Sequence, residues 1–359
     1  MPLLFFRKGD KILKKRILIA LLFITSIFIF LDMNTDKIDA AQTSTPMVNY
    51  SISPEMAGNQ INKNLGYYDL KVSPNQKEDI KFKINNVDSS SHTYTVSINR
   101  ANTDSNGVID YDDHGTPMES HLKYDLEKMA TYPKKVTVPA KSSKEVTVSL
   151  QFPNGKFSGE LLGGILVDED NQVSTKTAKG LSLKNKYQYV LGIQIQQNTD
   201  LVNPNLKFIK ASEKSNNGQI FVDADIDNDV PTLEKNVSID ARVTRKNSSK
   251  TVITADKENM SIAPDTYFDY PVNVNSLMGA NRNRRLKPGT YTMYLDVKAN
   301  GGKNLWNLQR NFTISKGQNK KLNKAVPNNS KSTLYVIGAI VLLLIIGSVV
   351  IFTYRKNKK

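Results

Sequence analysis

"DIKFKI", residues 79–84, alternates without interruption. Ile80, Phe82 and Ile84 are apolar, and Lys81 and Lys83 between them are charged. A period of two sends successive side chains to opposite faces of an extended chain, so the segment reads as a strand with one buried and one wetted face. The pattern recurs on both sides of it. "DLKV" offers Leu70 and Val72 to one face, "TYTVSI" offers Tyr94, Val96 and Ile98, and "EVTVSLQF" offers Val146, Val148, Leu150 and Phe152. "YVLGIQIQ", "QIFVDADID", "NVSIDARVT", "YFDYPVNVN", "TYTMYLDVKA" and "RNFTI" continue the series, separated by turns rich in Gly, Pro, Asn and Ser. Many short one-sided strands predict an all-β fold built of immunoglobulin-like β-sandwiches. A helical insert is expected in "ESHLKYDLEKMA", where Leu122, Leu126 and Met129 recur at helical spacing.

Two stretches end alike: "FPNGKFSGELLGGILV" and "LKPGTYTMYLDVKAN" each run from a Pro–Gly turn through an aromatic residue into a strand. They predict two tandem domains, 46–167 and 168–315, cut near the polar segment "DEDNQVSTKTAKG". After Ile314 the chain turns polar, and 316–333 reads as a solvated stalk.

The two ends of the chain carry the longest apolar runs. Basic residues Lys11, Lys14, Lys15 and Arg16 precede Ile17–Leu31, 15 residues without a charge. That is short of the roughly 20 a spanning helix needs and suits the core of a signal peptide ending near Ala40–Ala41, so 1–41 is expected to be a leader, with an uncleaved anchor as the alternative. Leu334–Tyr354 holds 21 uncharged residues and is followed at once by "RKNKK". Such a run spans a bilayer, and the basic flank marks its cytoplasmic end. The expectation is a single-pass type I membrane protein with its ectodomain outside, facing the cell wall, and a basic tail at 355–359. No LPxTG-like sorting motif precedes the helix.

The formal net charge of +15 invites a nucleic-acid reading, but its distribution argues against one. Residues 1–41 carry +3, residues 316–359 carry +9, and the whole of 42–315 carries only +3. The excess sits where membrane topology accounts for it, and no nucleic-acid partner is expected. There is no cysteine, which excludes a disulfide framework and a thiol nucleophile.

Few residues point to chemistry. "ANTDSNGVIDYDD", 101–113, places Asn102, Asp104, Asn106, Gly107, Asp110 and Asp113 near the ligand positions of an EF-hand calcium loop. A strand precedes it where a helix is needed, and the bidentate glutamate is missing. The alternative is a polar turn about Asn106–Gly107. A second near-match, Asp223, Asp225, Asp227 and Glu234, lies on an alternating strand, where its carboxylates are expected to line a solvated face. Of the three histidines, His92, His114 and His121, the last two are weak zinc candidates beside Asp110 and Asp113, with ordinary exposed polar residues as the alternative reading. Asp110, Asp112, Asp113 and Glu119 are the one dense acidic set a wall hydrolase would draw on. Gly163 and Gly164, inside an apolar strand, read as a bulge or a close backbone approach. No cofactor is expected, with calcium the one ion weighed, and the chain is read as a non-enzyme.

The ordered blocks "YYDLKVSPNQ", "INRANTDSNGVIDYD", "LQFPNGKFSGELLGGI", "KGLSLKNKYQYVLGIQIQ", "NPNLKFIKAS", "MSIAPDTYFDYPV" and "LKPGTYTMYLDV" follow one another at the spacing seen in the WxL-interacting proteins of Gram-positive bacteria. The chain resembles that family over essentially its whole length. The resemblance implies a peptidoglycan-binding first domain, a host-binding second domain and association with secreted WxL-domain proteins at the cell surface. It implies no catalytic residues. Tyr111 with the 102–113 turn is then a candidate wall contact. The basic loop of Arg282, Arg284, Arg285 and Lys287 is a candidate for an acidic partner.

Overall fold

The computed structural model describes residues 48–112, 122–170, 176–178, 181–183, 187–200, 202–216, 219–274 and 286–325. The expected leader, the membrane segment and the basic tail lie outside the described residues. Among those described, no helix is long and apolar enough to cross a membrane.

The first sandwich comprises β1 (Tyr50–Glu55), β2 (Tyr68–Lys71), β3 (Lys77–Asn86), β4 (His92–Arg100), β5 (Asn102–Thr103), β6 (Ile109–Asp110), α1 (Leu126–Met129), β7 (Ala130–Thr131), β8 (Lys135–Val138), β9 (Ser142–Gln151), β10 (Glu160–Glu169), β11 (Lys176–Ala178), β12 (Leu181–Leu183) and β13 (Gln188–Gln196). One sheet runs β1-β3-β9-β7 and the other β2-β13-β10-β4-β8. The second sandwich comprises β14 (Leu206–Asn216), β15 (Gln219–Asn228), β16 (Glu234–Arg245), β17 (Thr251–Ile262), β18 (Thr266–Asn273), β19 (Gly289–Ala299), β20 (Asn304–Ile314) and α2 (Lys316–Ala325). Its sheets run β14-β15-β18 and β17-β16-β19-β20.

Each sandwich closes on its own core. Ile80, Phe82 and Ile84 are fully buried against Val146, Val148 and Leu150 of the neighbouring strand and Ile165 and Val167 across the core. The lysines between them face water, where Lys81 pairs with Glu145 and Lys83 with Glu55. In the second sandwich Val222, Ala224 and Ile226 meet Ile239, Val243, Leu295 and Val297.

Four expectations change. The cut at 167/168 falls inside β10, and β13 pairs with β10 and β2, so 188–196 belongs to the first sandwich. The helical insert shrinks to one turn at Leu126–Met129, started by the Asp125 carboxylate, which accepts from the Glu127 N–H. The beginning of the expected stalk is instead α2. The Ser315 hydroxyl caps its first turn by accepting the Gln318 N–H, and Leu322 packs on the second core. The Asn319 side chain donates to the Leu286 carbonyl, which ties the helix to the sandwich. Finally, Asp223, Asp227 and Glu234 are buried rather than solvated. Lys214 reaches over β15 to both Asp223 and Asp269; Glu234 accepts from the Asn300 and Asn304 amides.

Candidate functional site

Outward-facing positions of β10 and β13 are Leu162, Gly164 and Leu166 on one strand and Val190, Gly192 and Gln194 on the other. In this antiparallel register Gly164 stands directly opposite Gly192, and Leu162 opposite Gln194. Two glycines side by side leave a depression in the outer surface of the sheet. The Tyr111 ring packs into it over Gly164, and the Tyr67 side chain lies against Gly192. A β-carbon at Gly164 would come within 2.9 Å of the Tyr111 ring, and one at Gly192 would touch the Tyr67 side chain at 3.5 Å. Gly163, on the core-facing side, leaves room for the Leu126 side chain; a β-carbon there would stand 2.4 Å from it. The β10–β13 pairing runs through both glycines without a register shift, so they serve close approach and not a bulge.

The result is a cleft of about 560 Å³ bordered by Tyr67, Ile109, Tyr111, Val190, Leu233 and Lys235. Val190 is exposed in it. Burial pushes the Tyr111 phenol up to about 12, and the Tyr67 phenol is raised for the same reason, so both stay neutral donors at physiological pH. Tyr111 is held from behind by the Asn99 side chain, which donates to its carbonyl at 2.5 Å.

Leu233 and Lys235 come from the second sandwich, and the joint that brings them there is specific. The hairpin β5–β6 reverses at Gly107, with φ +69°, and its turn is closed by Asp104. The Asp104 carboxylate accepts the backbone N–H groups of Asn106 and Val108, both at 2.8 Å. The hairpin then lies on β17: the Ser261 N–H donates to the Gly107 carbonyl at 2.8 Å, and the Ala263 N–H to the Thr103 hydroxyl at 2.8 Å. Any side chain at Gly107 would collide with Met260 at about 2.5 Å. A second tie runs through Glu160. Its N–H donates to the Pro231 carbonyl, and its carboxylate accepts the Leu233 N–H at 3.1 Å and the Gln194 amide at 3.1 Å. Burial raises the Glu160 carboxyl above its usual range. Asn228, fully buried, braces the same loop by donating to the Thr232 and Ala263 carbonyls.

Among the described residues singled out in the sequence, Tyr111 alone lines the cleft. Asn102 and Asp110 pair across the hairpin, the Asp110 carboxylate accepting the Asp112 N–H at 3.0 Å, while Asn106 takes the Lys257 ammonium of the second sandwich. Thus Asp104 and Asp110 serve the hairpin's own turns. Asp113, His114, Glu119, His121, Arg282, Arg284 and Arg285 lie outside the described residues; Lys287 is exposed, and its carbonyl accepts the Tyr291 hydroxyl. His92 sits between two carboxylates, Asp88 at 2.7 Å and Glu169 at 2.6 Å. Among the described residues, no three acidic or histidine groups gather as metal ligands would. Tyr67, Gly192, Leu233 and Lys235 were not legible beforehand, because the cleft exists only once β13 pairs with β10 and the second sandwich docks.

Fold and cleft define a two-module β-sandwich protein whose distinguishing surface is a tyrosine-bordered groove at the joint. Residues 50–169 match the family model described as WxL Interacting Protein, peptidoglycan binding domain, and residues 178–324 match WxL Interacting Protein, host binding domain. The chain belongs to the WxL-interacting protein family, and its partners are accordingly peptidoglycan, WxL proteins and host ligands. Among solved structures it is similar to the YadV chaperone (12% identity, TM-score 0.29, covering 74% of this chain and 100% of that one). It is likewise similar to the E. coli chaperone DraB (12%, 0.27, 74% and 98%) and the Pseudomonas aeruginosa CupB2 chaperone (9%, 0.26, 66% and 92%). No curated protein matches the chain.

Proposed function

We propose that this chain is a non-enzymatic adaptor of immunoglobulin-like sandwiches, held in the cell membrane by residues 334–354. Its ectodomain faces the wall, contacts peptidoglycan through the first sandwich and presents the second to WxL proteins and host ligands. The observation that carries the reading is the order of the two matched domains on one chain, 50–169 then 178–324. The direct hydrogen-bonded joint between them supports it, since an adaptor transmits position from one ligand to the other. The apolar run Leu334–Tyr354 with its basic flank supports the anchor.

The test is capture of the purified protein on peptidoglycan sacculi and on WxL proteins of the same cell, each with calcium or with chelator. Capture on both baits, equal in the two conditions, is the expected result. Capture lost in chelator would replace the reading with a calcium-dependent adhesin, and release of soluble fragments from sacculi would make the protein a hydrolase.

A further inference from the structure

We propose that the cleft over Gly192, bordered by Tyr67 and Tyr111, is the peptidoglycan glycan site, and that the second sandwich completes it. This rests on the wall-binding reading above and adds the site's place and composition. The matched peptidoglycan-binding segment ends at residue 169, yet Val190 and Gly192 lie on β13 and Leu233 and Lys235 lie beyond it. A ligand filling the cleft touches both sandwiches.

The chemistry of the lining fits this polymer. Peptidoglycan glycan is a chain of N-acetylhexosamines, alternate ones carrying a lactyl ether and a peptide stem with free carboxylates. Each sugar ring has a C–H face that packs on aromatic side chains, and each acetyl group ends in a methyl. The cleft presents two tyrosine rings, then apolar walls at Ile109, Val190 and Leu233. Gly192 keeps the floor low beside the Tyr67 side chain, and the Tyr111 ring rests on Gly164, close against the sheet. Neutral phenols at Tyr67 and Tyr111 supply hydrogen bonds to ring hydroxyls. Lys235, exposed at the border, places an ammonium opposite the stem carboxylates. The volume of about 560 Å³ lies within the roughly 300–1,000 Å³ typical of ligand clefts.

The position of Lys235 is set by the joint, since the Leu233 N–H is bonded to Glu160 of β10. Ligand binding and the docking of the two sandwiches are therefore linked: whatever loosens the joint weakens the glycan site, and bound glycan stabilises the joint.

Two substitutions in the full-length chain test this, with intact sacculi and muramidase-released disaccharide–peptides as probes. Gly192→Val fills the floor with a residue suited to a strand, and Lys235→Gln removes the exposed ammonium of the second sandwich without adding a carboxylate beside Asp69 and Glu160. Each is expected to weaken binding of both probes by at least about tenfold, with both variants folded by their melting curves. Wild-type affinity in both variants would overturn the site and leave wall binding standing. Absence of binding by the wild type would overturn wall binding, and this site with it. Retained sacculus binding with lost capture of WxL proteins would make the cleft a protein-docking site and overturn the glycan assignment.

Discussion

Glu213 shows how one residue's environment escapes the sequence. The alternation that buries Leu206 and Phe208 would bury Lys210 and Ser212 next and leave Glu213 in water. A bulge between Phe208 and Lys210 shifts the phase by one, so Ala211 and Glu213 turn inward and Lys210 and Lys214 outward. Both Glu213 carboxyl oxygens are buried without a hydrogen-bond partner, and burial pushes the group up to about 7. An acid whose folded-state value is raised contributes stability in its neutral form, which is fully present below its unfolded value near 4.5 and lost as pH rises through about 7. The loss amounts to roughly 3 kcal/mol at about 1.4 kcal/mol per unit. Urea denaturation should show stability falling between pH 5 and 8, and Glu213→Gln should flatten that slope and leave the variant more stable than the parent at pH 8. A slope unchanged in the variant would assign the effect to other groups. By contrast, Ile80, Phe82 and Ile84 were legible outright, because β3 runs without a bulge.

At the scale of elements, the hairpin β5–β6 was readable as a turn and unreadable as a clamp. Asn106–Gly107 marks the reversal, and Asp104 supplies the side chain that closes it, both local signals. What Gly107 is for depends on Met260, more than 150 residues away in the chain, and no local pattern carries that. Thr103 is the buried member of the clamp, and its hydroxyl is the partner of the Ala263 N–H. Thr103→Val keeps the shape and orphans that N–H, which costs about 1–3 kcal/mol. Thr103→Ser keeps the acceptor and should behave like the parent. Hydrogen exchange at Ala263 reads this directly: faster in the valine variant and unchanged in the serine variant, and equal rates in all three would mean the hydroxyl is not the acceptor in solution. The same logic applies to α2, where 316–325 reads as stalk by composition but folds as a helix because Ser315 caps it and Leu322 finds the core. Ser315→Ala should reduce helix stability by about 1 kcal/mol, visible as earlier proteolysis after Lys320 and Lys321.

For the molecule as a whole, the question is whether the two sandwiches keep one mutual arrangement, as a shared cleft requires. The contacts that hold them are backbone and buried polar hydrogen bonds, at Gly107–Ser261, Thr103–Ala263, Glu160–Pro231 and Glu160–Leu233. Such bonds are little screened by salt, unlike surface ion pairs. The chain has no cysteine, so two can be introduced without competing thiols. Spin labels at Lys144→Cys and Asn307→Cys, exposed positions on different sandwiches, report their separation. One narrow distance distribution is expected, the same at low and at 0.5 M salt. Adding Gly107→Val drives a side chain into Met260 from a backbone at φ +69° and should broaden the distribution. If the cleft binds glycan across the joint, disaccharide–peptide should narrow it again in that variant and leave the parent unchanged. A distribution already broad in the parent would show that the sandwiches move independently, and Lys235 would then have no fixed place beside Tyr67 and Tyr111.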